Sequence, residues 1–246
     1  MDGLTRADIE RDERKDFALA PGYLRPRDAA TLMLLDRKAG APQVLMGRRH
    51  RKHAFMPGKF VFPGGRTDPA DSRLSFTDDL PAADIDRIAG SHRRATVARA
   101  RAIAASAIRE TYEEAGLLIG QRGDFAARQP DWQGFVSHGV QPTLACLRLV
   151  ARAITPPGRV RRFDTRFFAA WRDDVAVELP DGGPTGELEE LIWLPIEDAM
   201  LQDVPLVTKT ILGDLQSRLR NDPELAPGAT IPFYHMRHNR FRRDLL

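Results

Sequence analysis

The chain has 246 residues, 42% of them hydrophobic and 29% charged, which is enough to bury a substantial core in one or at most two domains. Its 37 basic and 34 acidic residues leave a formal net charge of +3, too small a surplus to argue for nucleic acid as a partner. The one cysteine, Cys146, excludes a disulfide within the chain, and no apolar run approaches membrane-spanning length, so we expect a cytoplasmic protein.

The first part of the chain predicts a charged arm and then a hairpin. Residues 1–22 alternate in charge and end at Pro21 and Gly22, which is typical of an exposed helix or a loose arm. Two short apolar runs, 29–36 and 43–48, are separated by a turn-like stretch and predict a β-hairpin.

The segment that follows, 48–53, has six basic or titratable residues in one connection. It is either a solvated loop or a cationic rim for the phosphates of a substrate, and in the second case the binding residues are Arg48, Arg49 and Arg51.

A third strand, 60–62, leads into a turn with two glycines, Gly64 and Gly65, which permit a positive φ and a close approach of the backbone to a ligand. Residues 72–90 have no periodicity that fixes a structure. A helical pattern begins at residue 91, or as early as 84, and runs to Ala115, where Gly116 has the position of a C-terminal cap.

The end of this helix is acidic on one side. At about 100° per residue, Glu110, Glu113 and Glu114 fall within an arc of roughly 100°. Such a cluster of oxygen ligands suits Mg²⁺ or Mn²⁺. Arg109 precedes Glu113 by four residues and is close enough to hold one carboxylate in place. The alternative is a solvated acidic helix face.

The second half of the chain predicts further strands and helices. A short helix is expected within 125–138, and the alternation over 144–154 predicts a strand with one side buried and Arg148 and Arg152 on the other. Cys146 in this pattern is more typical of a core residue than of a nucleophile.

The remaining elements are expected to be an aromatic strand at 163–171, a strand at 187–194, a helix at 205–219 and a loop-like tail at 223–246 with a strand near 231–236. This order predicts an α/β fold, a mixed-sheet α/β/α sandwich, with the main domain over 23–222 between the arm and the tail.

Residues 109–117, Arg-Glu-Thr-Tyr-Glu-Glu-Ala-Gly-Leu, resemble the second half of the Nudix box, R-E-x-x-E-E-x-G followed by an aliphatic residue, at every fixed position. Upstream, 60–71 resembles the strand and Gly-Gly loop that open this box. Two departures exist. Asp71 stands where the box has glutamate, and the 37 residues of 72–108 separate it from Arg109 where the box has seven. The box is therefore split by an insertion of about 30 residues, which we expect to cover the site and to be dispensable for folding.

The resemblance implies the Nudix fold and a metal-dependent hydrolase of phosphoanhydride bonds. It implies a divalent ion, Mg²⁺ or Mn²⁺, held by the three glutamates and the Gly65 carbonyl, with Arg109 orienting the carboxylates. A late carboxylate, Glu187 or Glu190, would act as base or further ligand, and an exposed acidic strand edge is the alternative. Phe62 and Gly64 would join the arginines in binding the substrate.

The substrate expected from the resemblance is a nucleoside diphosphate linked to another moiety. The long insertion, together with Phe-Val-Phe-Pro-Gly-Gly and the segment 163–165, is similar to the coenzyme A diphosphatase branch, which favours coenzyme A or acyl-CoA. Ala54 departs from that branch, which has arginine there. Dinucleoside polyphosphates, nucleotide sugars and ADP-ribose stay open.

A non-catalytic ligand sensor is a further alternative, although such domains usually lose the carboxylates that this chain retains. The expected partner is a small-molecule nucleotide, with neither nucleic acid nor a membrane, and a homodimer stays open as the assembly.

Overall fold

The computed structural model describes residues 3–5, 24–37, 40–50, 58–90 and 95–246. The expectations for the charged arm and for Arg51 lie outside these ranges. The strands of the described part are β1 (Arg27–Asp36), β2 (Gln43–Arg49), β3 (Phe60–Val61), β4 (Gly64–Arg66), β5 (Leu117–Arg122), β6 (Val140–Pro142), β7 (Arg148–Ile154), β8 (Phe163–Trp171), β9 (Val175–Glu178), β10 (Leu188–Pro195), β11 (Pro232–Arg237) and β12 (Arg240–Leu245). The helices are α1 (Ala82–Ala89), α2 (Val97–Ala115), α3 (Gln133–Ser137), α4 (Ile196–Leu201) and α5 (Leu206–Asn221), with 3₁₀ turns at Pro69–Arg73, Pro130–Trp132 and Arg172–Asp174.

The main sheet is mixed, with the strand order β10-β2-β1-β8-β7-β11-β12, and β3 and β4 pair beside it with β2 and β1. The predicted hairpin is confirmed, because β1 and β2 are antiparallel with Leu35 opposite Val44. On its other side β1 runs parallel to β8, with the pairs running from Arg27 opposite Phe163 to Leu35 opposite Trp171. A small second sheet has the order β6-β5-β9.

Two hydrophobic cores lie on opposite faces of this sheet. Side chains alternate along β1, so Leu32 and Leu34 enter one core and Met33 and Leu35 enter the other. The first core is closed by α1 and α2, and the second by α4 and α5. The predicted α/β/α sandwich is therefore confirmed.

Helix α2 begins and ends at recognisable caps. The Thr96 side chain accepts a hydrogen bond from the Arg99 N–H at the start. At the end Gly116 adopts a left-handed conformation, φ 70°, and its N–H donates to Tyr112 O. The predicted stop at Gly116 is confirmed, and it fixes where the acidic turn of the helix lies.

The inserted segment, 72–90, contributes to the core, contrary to expectation. Its α1 helix packs on α2 and buries Ile88 and Ala89, and Leu80 just before the helix is buried with them. The Ile88 carbonyl accepts a hydrogen bond of 2.9 Å from Nε of the fully buried Arg166. The segment thus supports the start of α2 rather than covering the acidic end.

Strand β7 begins at Arg148 rather than at residue 144, because the N–H groups of Leu144 and Ala145 donate to the Asp78 carboxylate instead of entering the sheet. The prediction of an exposed face with Arg152 was wrong. Arg152 is buried and donates two hydrogen bonds, of 2.8 and 2.7 Å, to the Asp164 carboxylate. The paired charge makes this burial tolerable.

The C-terminal tail is also more ordered than predicted. Residues expected to be loop-like form the hairpin β11–β12, and β11 joins the main sheet parallel to β7, with Phe233 opposite Arg152. Tyr234 and Phe241 of this hairpin are buried. Over the described ranges, no helix is both long and apolar enough to cross a membrane.

Candidate active site

The acidic end of α2 lies against the short strand β4. Glu110 has 15% of its side chain exposed, Glu113 20% and Glu114 4%. The Glu114 carboxylate accepts a hydrogen bond of 3.1 Å from the Gly64 N–H. All three predicted carboxylates are therefore at one place, partly shielded from solvent, beside the Gly-Gly segment.

Gly65 is required for space. A Cβ built on it would lie 2.4 Å from the Glu110 carboxyl carbon, so no other residue leaves the Glu110 carboxylate in its position. Neither Gly64 nor Gly65 uses the positive φ that glycine permits. The two glycines are instead extended and pair with β1.

Arg109 connects the carboxylates, as predicted. Its Nη1 donates to Glu110 and to Glu113 at 2.9 Å each. Burial by itself would lower the pKa of this guanidinium, but the hydrogen bonds that it donates to Asp71 and the charges of Glu110 and Glu113 outweigh burial and raise the pKa. Arg109 is therefore a permanent cation that fixes two carboxylates.

Asp71 binds the edge of the Arg109 guanidinium that does not contact Glu110 and Glu113. Its carboxylate accepts from Arg109 Nε at 3.0 Å and Nη2 at 3.2 Å, and from the Asp68 N–H at 2.8 Å. The residue is 1% exposed. The shorter side chain thus reaches across the split in the box and positions Arg109.

Burial disfavours the charged form of the three glutamates. It raises the pKa of Glu114 to about 8 and that of Glu113 to about 7, and it raises the pKa of Glu110 as well; the charge of Glu110 adds to the shift of the other two. A cation among them would reverse these shifts.

The site fits a hard divalent cation by the chemistry of its donors. Three carboxylates with raised pKa values lie at the end of α2, and the missing side chain of Gly65 leaves room for the Glu110 carboxylate. Among the described residues no three histidine, cysteine or carboxylate groups are already arranged as metal ligands, and Arg109 occupies two of the carboxylates.

The two late carboxylates have different surroundings. Glu187 accepts a hydrogen bond of 3.1 Å from Arg49, whose other nitrogen lies 3.8 Å from Glu114. Glu190 pairs with Arg48 at 2.8 Å, with both side chains well exposed. Glu187 and Arg49 thus lie beside the carboxylate cluster. Glu190 and Arg48 form an ion pair with each other instead.

One contact at the site was not predicted. Thr185 donates to the Glu113 carbonyl through its N–H at 3.1 Å and its hydroxyl at 2.8 Å. A Cβ at Gly183 would lie 2.3 Å from the same carbonyl oxygen. The sequence signal for this contact is the glycine-rich stretch 182–186 directly before Glu187.

A cavity of about 220 Å³ adjoins the cluster on the side of the β4 strand. Phe62, Gly64, Gly65 and Arg49 line it, which brings four predicted residues together. Further lining side chains were not predicted, and the sequence signal for them was weak because they come from distant parts of the chain. They include Phe163, Phe167, Tyr234, Phe241 and Arg159.

No family model and no curated protein matches the chain. Among solved structures, it is similar to a Nudix hydrolase from Alicyclobacillus acidocaldarius, with a TM-score of 0.60 and 26% identity over 78% of this chain and 92% of that one. It also matches a Nudix hydrolase from M. smegmatis, at a TM-score of 0.44 and 13% identity over 82% and 97% of the two chains. An Ap4A hydrolase from C. elegans matches at a TM-score of 0.42 and 15% identity, over 79% and 99%.

The fold is that of the Nudix hydrolases, as the resemblance implied, and the first of these similarities supports a Nudix pyrophosphohydrolase.

Proposed function

We propose that the chain hydrolyses a phosphoanhydride bond in a nucleoside diphosphate linked to another moiety, with a divalent metal ion as cofactor. The observation that carries this proposal is the set of three carboxylates at the end of α2, held by Arg109 beside the Gly64-Gly65 segment. A solvated acidic helix face would not bury Glu114 to 4% exposure.

The residues that would hold Mg²⁺ or Mn²⁺ are Glu110, Glu113 and Glu114, with the Gly65 carbonyl as a further oxygen. Such an ion neutralises the diphosphate charge and makes water more acidic. Arg109 keeps the Glu110 and Glu113 carboxylates oriented, and Asp71 keeps Arg109 in place.

The proton from the attacking water needs an acceptor close to the cluster. Glu187 is the better candidate of the two late carboxylates, because Arg49 links it to Glu114 while Glu190 is engaged with Arg48. Arg49 also supplies a positive charge beside the place where the diphosphate would lie.

For the substrate we infer coenzyme A or acyl-CoA. The split box and the segment 163–165 favour it, and a partly aromatic cavity with arginines beside the carboxylates is consistent with a nucleotide. Dinucleoside polyphosphates, nucleotide sugars and ADP-ribose are the alternative substrates, and all of them contain the same bond.

A screen of phosphoanhydride substrates with Mg²⁺ and Mn²⁺, with products identified by mass, tests the proposal. Glu110→Gln and Glu114→Gln should each lower kcat at least about 100-fold with the fold intact, because the metal site supplies most of the charge stabilisation. Glu190→Gln is the matched control and should keep its activity. Near-normal turnover in both cluster variants would exclude the mechanism, whereas nucleotide binding without any turnover would favour the sensor.

A further inference from the structure

The loop between β9 and β10 is attached to the end of α2. The last carbonyl groups of a helix have no hydrogen-bond donor within that helix. At the start of the loop the Leu179 N–H donates to the Gly116 carbonyl at 2.9 Å, and near its end Thr185 donates to the Glu113 carbonyl. Gly183 packs so closely on the same carbonyl that no side chain would fit between them. The loop therefore lies in direct contact with the acidic turn of α2.

The Thr185 hydroxyl has two partners on different parts of the chain. It donates to the Glu113 carbonyl at 2.8 Å and accepts a hydrogen bond of 3.4 Å from the Glu187 N–H. A hydroxyl can do both because it has one donor and two acceptor lone pairs, and the second bond is the weaker one since it is long. A single oxygen thus joins the backbone of a proposed metal ligand to the backbone of the proposed base.

On its other side Glu187 is held by β2 and the residue after it. The His50 N–H donates to the Glu187 carbonyl at 3.1 Å, and Arg49 donates to the Glu187 carboxylate. The pairing of β10 with β2 is irregular directly after Leu188, and such irregularities change the direction of nearby side chains. These contacts place Glu187 relative to β2, and Thr185 places it relative to α2, which carries the carboxylate cluster.

The distance between Glu187 and the cluster matters for the reaction. A general base must come within about 2.6–3.2 Å of the water whose proton it takes, and a misplacement of about 1 Å costs up to about 100-fold in rate. The Thr185 side chain is exposed, so water can replace its hydroxyl and the loss of this group should change stability little. The hydroxyl therefore has more effect on the geometry of the site than on the stability of the fold.

We propose that Thr185 is a positioning residue, whose hydroxyl sets the place of Glu187 relative to the carboxylate cluster. The inference rests on the proposed function, in which Glu187 accepts the proton from the attacking water. Thr185 acts through Glu187 and binds neither the metal nor the substrate.

A double-mutant cycle tests this role, with hydrolysis of coenzyme A and of ADP-ribose by the full chain in Mg²⁺ as the measurement. Thr185→Val keeps the shape and the N–H but removes the hydroxyl, and it should lower kcat about tenfold with KM within about twofold of wild type. Thr185→Ser restores the hydroxyl and should recover most of the activity. In a Glu187→Gln background Thr185→Val should have no further effect, since residues that act as a unit are not additive.

Thr210→Val is the matched control. The Thr210 hydroxyl also donates to a backbone carbonyl, that of Leu206 at 2.9 Å, but it lies on α5, which packs on the opposite face of the main sheet from α2. This variant should keep the kcat of wild type.

Hydrogen exchange of the peptide 182–190, followed by mass spectrometry, gives a readout that does not need turnover. Exchange there should be faster in Thr185→Val than in wild type and unchanged in Thr185→Ser, with a peptide from β1 unchanged in both. A wild-type kcat or unchanged exchange in Thr185→Val would overturn the inference, as would a tenfold loss that persists in the Glu187→Gln background. If wild type cleaves neither substrate while the exchange result holds, the attachment of Glu187 to α2 by Thr185 stands and the proposed function fails.

Discussion

Arg109 and Asp71, which are 38 positions apart in the chain, form a two-point ion pair in which Nε and Nη2 of the arginine donate to the two carboxylate oxygens at 3.0 and 3.2 Å. The pair closes the gap that the insertion opens between the halves of the box. It also turns the other edge of the guanidinium toward Glu110 and Glu113.

Asp71→Asn should therefore affect both stability and activity. Loss of one partner of a buried ion pair costs about 3–5 kcal/mol, and the freed Arg109 no longer fixes its carboxylates. We expect a lower urea midpoint and a kcat reduced about tenfold or more. Asp68→Asn is the control, since Asp68 lies beside Asp71 but does not contact Arg109. An unchanged kcat in a destabilised Asp71→Asn protein would show that the pair is only structural.

The two glycines of β4 should respond differently to alanine. At Gly65 the new Cβ meets the end of the flexible Glu110 side chain, which moves away, so we expect near-normal thermal stability and a strongly reduced kcat. At Gly64 it meets backbone atoms of Ala30 and Thr31 at 2.6 and 2.7 Å, which cannot yield, so this variant should lose stability. Equal losses of stability in both variants would contradict these different roles of Gly64 and Gly65.

The two late carboxylates give a third comparison. Glu187→Gln should lower kcat by about 100-fold if Glu187 accepts the proton, whereas Glu190→Gln should stay within about twofold of wild type. Their pH-rate profiles separate a base from a residue that only holds Arg49, because loss of the base removes the acidic limb of the profile. The reverse order of the two effects would assign the base to Glu190.

Acidity should stabilise the metal-free protein. Glu114 has a pKa of about 8 in the folded chain against an ordinary value of 4.5, because it is buried. Between these values the folded state binds more protons than the unfolded state, so stability falls as pH rises from about 4.5 to 8 and levels off above. The melting temperature in EDTA should be higher at pH 5.5 than at pH 8.

Two comparisons test whether Glu114 causes this dependence of stability on pH. In Glu114→Gln the melting temperature in EDTA should change less between pH 5.5 and pH 8, since the amide does not titrate. Added Mg²⁺ should raise the melting temperature most at pH 8, where the carboxylates are ionised and ready to bind. A melting temperature that rises with pH in EDTA would contradict the burial argument.

The inserted segment gives the fifth prediction. Ile88→Ala should reduce the free energy of unfolding by about 2–5 kcal/mol, because Ile88 is 1% exposed in the core under α2. Asp86→Ala on the exposed side of the same helix should change it by less than about 0.5 kcal/mol. Replacing 73–88 by a short Gly-Ser linker should abolish cooperative unfolding, and a well-folded product would instead restore the view of a dispensable insertion.

Local features of the sequence were sufficient to predict the acidic end of α2. The relation of Glu110, Glu113 and Glu114 follows from helix geometry, and Gly116 marks the end of the helix. The hairpin of β1 and β2 was likewise predictable because its strands are adjacent in the chain.

Choosing between Glu187 and Glu190 required the pairing of β10 with β2, which is irregular between Leu188 and Glu190. A shift of one residue moves a side chain to the other face of a sheet, and nothing in the local sequence fixes such a shift. The burial of Arg152 was missed for a related reason, since its partner Asp164 lies on the neighbouring strand.

The late pairing of β11 with β7 has a consequence for biosynthesis. Phe233 aligns with Arg152, so β7 has no neighbour on that side until the hairpin of β11 and β12 leaves the ribosome. An unpaired strand edge on a nascent chain is open to pairing with other chains. Lys and Arg at such an edge oppose this pairing, and β7 begins at the partly buried Arg148, whereas Arg152 is paired with Asp164. Arg148 is thus placed to oppose association of the unfinished sheet while the rest of the chain is being made.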